Sequence, residues 1–221
     1  MRIGLFGGTF NPVHLGHLRA AVEVRQGFEL DEIYLIPAAL PPHKGPVELA
    51  SSADRLEMLN LAIGDTAGLK ISDVELKRSG PSYTIDTVHH FKQTLAAETR
   101  LHLIMGLDAF LEIDTWKSFK ELLTQIALIV IDRPNAGSKM GGVPREIMDD
   151  YIFSNLSAHY SFSASRSAYL ARQREPIYVL EVKALDISST MIRHGVRKQH
   201  PIDHLVPQKA AEYIRTKGLY L

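Results

Sequence analysis

Apolar runs too short to be helices recur along the chain, and each ends on a residue that breaks regular structure. Ile3, Leu5 and Phe6 run into Gly7-Gly8, residues 33–37 (IYLIP) stop at a proline, residues 101–105 stop at Gly106, and residues 127–131 (ALIVI) repeat the pattern. Unbroken apolar runs of about four to eight residues suit strands of a parallel sheet covered on both faces. The segments between them follow a helical period. Leu15, Leu18, Ala21, Val22 and Val24 place a helix over 15–28 that Gly27 closes, and the same reasoning predicts helices over 52–63 and 84–97, with a strand over 69–74. Strand and helix in alternation predict an α/β fold, a doubly wound and mostly parallel sheet.

PAALPPHKGP carries four prolines and is an irregular loop. Residues 135–142 read as a mobile loop, 145–156 as a helix, and SFSASRS (161–167) as a turn or short helix. Residues 177–182 form a late strand, Ser188 opens a helix that contains Arg193 and Arg197, and a last amphipathic helix runs from Pro207 to the Gly218 stop. At 221 residues a single domain over 1–221 is expected, with 183–221 as a helical C-terminal subdomain.

Twenty-five basic against 25 acidic side chains give no net charge, which argues against a broad grip on nucleic acid or an anionic membrane. The absence of cysteine excludes a disulfide framework, a thiolate nucleophile and a Cys-ligated zinc. The N-terminus reaches glycines too soon for a signal peptide, and no run of about 18 apolar residues follows, so the expected setting is the cytoplasm, without a membrane.

The chemistry concentrates in GGTFNPVHLGHL (7–18), between the first strand and the first helix. In open α/β sheets ligands bind beyond the carboxyl ends of strands. Glycines let backbone approach a phosphate, and a helix N-terminus supplies free N–H donors. His14 and His17, three residues apart, are expected to project from one face toward the same ligand. Such a turn can also be a tight connection only. A zinc site is the weaker alternative, since the stretch has no third ligand and lacks the glutamate of a zinc-protease helix.

T-F-x-P-x-H-x-G-H after a strand resembles the signature of the HIGH-superfamily nucleotidyltransferases, and ISSTMIR (187–193) resembles the second signature of that superfamily. PPHK (41–44), PSYT (81–84), GLDAF (106–110), TWKSF (115–119), Arg133-Pro134 and the ending LVPQKAAEYIRTKGLYL narrow the resemblance to the bacterial nicotinate-nucleotide adenylyltransferase family over nearly the whole chain. Many members have aspartate where Asn11 stands, a change that removes a negative charge from an anion site. The tract 135–173 has no clear counterpart.

The resemblance implies a Rossmann-like nucleotidyltransferase fold and the transfer of AMP from ATP to nicotinate mononucleotide, giving deamido-NAD and pyrophosphate. It also implies roles for particular residues. His14, His17, Lys44 and Arg193 would be catalytic, the histidines holding the triphosphate and the two cations its β- and γ-phosphates. Gly7, Gly8, Thr9, Phe10, Gly106, Asp108, Arg133, Ser188, Ser189 and Thr190 would bind ATP, Asp108 through a ribose hydroxyl and Arg133 over the adenine. His43, Lys44, Ser82, Tyr83, Thr84 and Trp116 would bind the mononucleotide, with Trp116 stacked on the pyridine and the carboxylate received at Thr84. Mg²⁺ would come with ATP and take no protein side chain as ligand. Ser188 to Thr190 also read as an ordinary helix cap, His43 and Lys44 as a solvated pair, and Asp108 as a helix N-terminal carboxylate. A sibling transferase acting on nicotinamide mononucleotide or phosphopantetheine, and a nucleotide-sensing module without turnover, are the competing functions. Whether the chain forms a homo-oligomer is left open.

Overall fold

The computed structural model describes residues 1–39, 49–132, 145–183 and 185–221. His43, Lys44, Arg133 and the expected loop over 135–142 lie outside the described residues.

Strands β1 (Arg2–Gly8), β2 (Glu32–Pro37), β3 (Leu69–Ile71), β4 (Arg100–Gly106), β5 (Ala127–Asp132), β6 (Ser161–Ser163), β7 (Ala168–Leu170) and β8 (Ile177–Glu181) form one sheet in the order β3-β2-β1-β4-β5-β8-β7-β6. The six strands from β3 to β8 in that order are parallel, and β7 and β6 add an antiparallel edge. The helices are α1 (Leu15–Gly27), α2 (Ser52–Ile63), α3 (Val74–Lys77), α4 (Thr84–Thr94), α5 (Leu107–Phe110), α6 (Phe119–Gln125), α7 (Arg145–Tyr151), α8 (Ser189–Arg197) and α9 (Gln208–Lys217).

Both faces of the sheet are dry, as the unbroken apolar runs predict. In β5, Leu128 and Val130 enter one apolar cluster with Leu5, Leu103, Val88 and Phe91 of the α4 side. Ile129 and Ile131 enter the other, with Phe6, Ile104, Val24, Met58 and Leu59 of the α1 and α2 side. The second of these clusters also takes Ile192 of α8 and Ala211 and Ile214 of α9.

Three expectations need correction. The strand expected over 69–74 ends at Ile71, and Val74 starts α3. The helix over 84–97 ends at Thr94. The SFSASRS tract, expected as a turn or short helix, holds a 3₁₀ turn at Ala164–Arg166, but its first three residues are the strand β6, and the turn leads into β7 to make a hairpin. Its small polar residues carry no period, and β6 is a strand because it pairs with β7, which in turn pairs with β8 further along the chain.

Candidate active site

The chain leaves β1 for β2 on one side and reaches β4 on the other, so the strand order reverses between β1 and β4. That reversal opens a crevice at the carboxyl ends of the strands. A cleft of about 670 Å³ occupies it.

At the end of β1, Gly7, Gly8 and Thr9 present backbone to the cleft. Phe10 turns back with φ 48°, and its ring lies where a Cβ on Gly8 would be only 3.0 Å away. Glycine is therefore needed at 8 for close packing. The Phe10 ring meets His17 edge-on at 5.1 Å. Helix α1 begins with His14 as its N-cap and has no acidic residue in its first turn, so its N-terminal charge is not neutralised from within the helix. The His14 N–H donates to His17 Nδ1 at 3.3 Å, which leaves Nε2 as the protonated nitrogen of the neutral ring.

The two histidines are not equivalent, contrary to the expectation that both face one ligand. Their rings stack at 3.7 Å, but His14 is 1% exposed and His17 is the one that lines the cleft. Three-residue spacing put both on one helix face; the buried His14 ring lies over Gly16, where a Cβ would sit 3.0 Å from its Nδ1.

The second signature is bonded directly to the first. Ser189 Oγ donates to the Pro12 carbonyl at 2.9 Å, and Arg193 donates to the Asn11 carbonyl at 2.8 Å and to Thr190 Oγ1 at 3.2 Å. Ser189, Thr190 and Arg193 line the cleft. Ser188 does not; its Oγ accepts from the Met191 N–H at 3.1 Å, the ordinary N-cap bond. Two helix N-termini and a guanidinium thus meet at one place, an arrangement suited to a polyanion.

At the other end of the cleft lie Ser82, Tyr83, Thr84 and Trp116. Ser82 Oγ accepts from the Ala39 N–H at 2.9 Å, tying this turn to the exit of β2. Tyr83 is the N-cap of α4 and makes no side-chain cap bond, while the Asp86 N–H of the first turn donates to the Tyr83 carbonyl at 3.1 Å. Beyond β4, Gly106 and Asp108 line the middle of the cleft, and a Cβ on Gly106 would collide with Asp108 Oδ1. Glycine at 106 lets that carboxylate fold back toward the strand end.

Comparison with known proteins agrees with this geometry. Residues 5–195 match the model of the cytidylyltransferase-like family. A probable nicotinate-nucleotide adenylyltransferase of Desulfatibacillum aliphaticivorans is 40% identical over 100% of both chains. One of Pseudomonas fluorescens is 40% identical over 99% of this chain and 97% of its own length. The chain belongs to the nicotinate-nucleotide adenylyltransferase branch of the cytidylyltransferase-like family. The fold is shared with the Plasmodium falciparum nicotinic acid mononucleotide adenylyltransferase complexed with NaAD, at a TM-score of 0.72, 19% identity, and coverage of 99% of this chain and 97% of that one.

Within this adenylyltransferase cleft stand residues that sequence reasoning passed over. Lys117 lies over the Tyr83 ring at 4.6 Å and bonds Asp86 at 3.2 Å. Glu75 accepts the Thr87 hydroxyl at 2.7 Å, and Arg78 donates to Thr87 Oγ1 and to the Tyr83 carbonyl. Asn11, singled out in the sequence only because many members have aspartate there, is a buried junction: its Oδ1 accepts from the Ala50 N–H at 3.0 Å and from the Tyr220 hydroxyl at 2.9 Å. Arg55 lies behind the same turn, 1% exposed. On the sequence Arg55, Glu75 and Lys117 are ordinary charges of helices or loops, and no periodicity separates them from solvated ones.

Proposed function

We propose that the chain joins the AMP part of ATP to nicotinate mononucleotide, and the observation that carries this is one cleft holding both signatures and the Tyr83–Trp116 end. The 5′-phosphate oxygen of the mononucleotide attacks the α-phosphorus of ATP. A P–O bond forms there, the bond to the β-phosphate bridging oxygen breaks, and its electron pair leaves with pyrophosphate. The product is deamido-NAD. No side chain becomes bonded to the nucleotide, so the protein has to position the reactants in line and balance charge.

His17, whose Nδ1 accepts from the His14 N–H, would donate from Nε2 to an α-phosphoryl oxygen and bind most strongly when charge builds on it. Arg193, held by the Asn11 carbonyl, would take the leaving phosphates, and Ser189 and Thr190 would complete that end. His14 would act from beneath His17 rather than on the phosphates. Lys44 would share the phosphate load on the strength of the sequence resemblance, as would His43 at the mononucleotide and Arg133 at the adenine. Asp108 would accept from a ribose hydroxyl; Trp116 would stack on the pyridine; the α4 N-terminus at Thr84 would receive the carboxylate.

The donors gathered at the two signatures are N–H, imidazole, hydroxyl and guanidinium groups, which fit phosphate oxygens. Mg²⁺ therefore fits as a companion of the triphosphate, where it neutralises charge on the phosphate oxygens. Among the described residues no helix is long and apolar enough to cross a membrane. We place the enzyme in the cytoplasm. We also infer a single domain over 1–221 with 183–221 as a subdomain, supported by the bonds from α8 to the β1 turn and from Leu15 N–H to the Leu205 carbonyl at 3.0 Å.

The test is pyrophosphate release from Mg²⁺ and ATP with nicotinate mononucleotide, nicotinamide mononucleotide or phosphopantetheine as acceptor. Release driven chiefly by the nicotinate form is expected, with Trp116→Ala raising KM for that acceptor far more than for ATP. Preference for another acceptor overturns the assignment of the Tyr83–Trp116 end; no release with any overturns catalysis.

A further inference from the structure

Arg55 is a buried guanidinium that no described carboxylate neutralises. Burial lowers its pKa from the ordinary arginine value, yet an arginine stays charged at any physiological pH. Its bonds go to backbone instead. One terminal nitrogen donates to the Thr9 carbonyl at 2.8 Å and the Ala38 carbonyl at 2.7 Å; Nε donates to the Ala50 carbonyl at 3.2 Å; the other terminal nitrogen reaches Ser52 Oγ at 3.2 Å. A single side chain of α2 therefore ties the exit of β1, the exit of β2 and the approach to its own helix.

A cation is costly to bury, and a hydrophobic side chain could fill the same space, so the position calls for an explanation in charge as well as packing. Thr9 belongs to the turn that faces the polyanion. A carbonyl turned toward phosphate would repel it; here that oxygen is engaged by Arg55, a buried side chain that does not itself line the cleft. The guanidinium places a fixed positive charge immediately behind the turn, in surroundings that water does not screen.

We propose that Arg55 is a positioning residue for the triphosphate: it holds the Thr9 carbonyl out of the phosphate site and supplies a fixed charge beneath it. This rests on the reading of the cleft as the ATP site. Lysine at 55 keeps the charge but can satisfy few of these acceptors, whereas methionine keeps the bulk and loses the charge.

Calorimetric titration of the whole protein with Mg²⁺-ATP and with adenosine separates the roles. Arg55→Met is expected to weaken ATP at least tenfold and adenosine less than threefold. Arg55→Lys is expected to keep ATP affinity within threefold and to lower kcat at least tenfold. A part that only stabilises the fold would weaken both ligands alike, and that result, or unchanged ATP affinity in Arg55→Met, overturns the proposal. Should Arg55→Met not fold, a wild-type kcat in Arg55→Lys overturns it equally. Failure of the unaltered protein to bind ATP would instead remove the cleft assignment on which it rests.

Discussion

His17 owes its readiness to a neighbour two bonds away in function and three residues away in sequence: the His14 N–H that occupies its Nδ1. A donor that serves mainly the transition state is expected to cost kcat and not binding. His17→Ala should therefore lower kcat about 10²- to 10³-fold while ATP affinity changes little, as single-turnover kinetics and titration can check. Asn11 gives a contrasting expectation. Its Oδ1 is an acceptor from two donors, and an aspartate oxygen can accept both, so Asn11→Asp should keep kcat/KM within about tenfold, or roughly 1.4 kcal/mol. Away from the cleft, His102 on β4 is buried, and burial lowers its pKa below the ordinary histidine value. The folded protein thus keeps this ring neutral, whereas the unfolded chain takes up a proton as pH falls below about 6.5. That part of the stability is present at higher pH and is lost as pH drops from about 6.5 toward the depressed folded value. His102→Leu should show a smaller loss of unfolding free energy between pH 7.5 and 5.5 than the unaltered protein, measured in urea.

Among the elements, α8 shows how a cap and a binding site share one helix end. Ser188 bonds the Met191 N–H, while Ser189, Thr190 and Arg193 turn to the cleft. Ser188→Ala should cost about 1 kcal/mol of stability and leave KM for ATP within about twofold; a large rise in KM would make Ser188 a ligand as well. The elements were legible where a local rule decides them. Unbroken runs such as ALIVI become central strands because both faces of β5 are covered, and β1, β2 and β4 end on glycine or proline. The rule fails at 161–170, since these short strands, β6 on β7 and β7 on β8, are held by pairing rather than by a period of their own. It also fails at 72–77, where a β-branched valine enters a one-turn helix that no period announces.

For the whole molecule, the C-terminal helices matter as much as the sheet. Ile192, Ala211 and Ile214 lie in the same apolar cluster as Val24 and Met58, and Tyr213 donates to Asp54 across α9 and α2 at 2.9 Å. Thermal unfolding is therefore expected as one transition, with calorimetric and van't Hoff enthalpies equal; two transitions would make 183–221 an independent unit. The strand runs, the helix periods and the two signatures were all set by local chemistry, in which residue type and spacing suffice to imply strand, turn, helix start and phosphate-binding donors. Why Arg193 rests on the Asn11 carbonyl and why a cation at position 55 is buried depend on contacts between residues as much as 182 apart in sequence. Chain closure over such distances follows from the packing of the entire sheet with its helices. No local pattern encodes it, so only the tertiary structure could decide those two points.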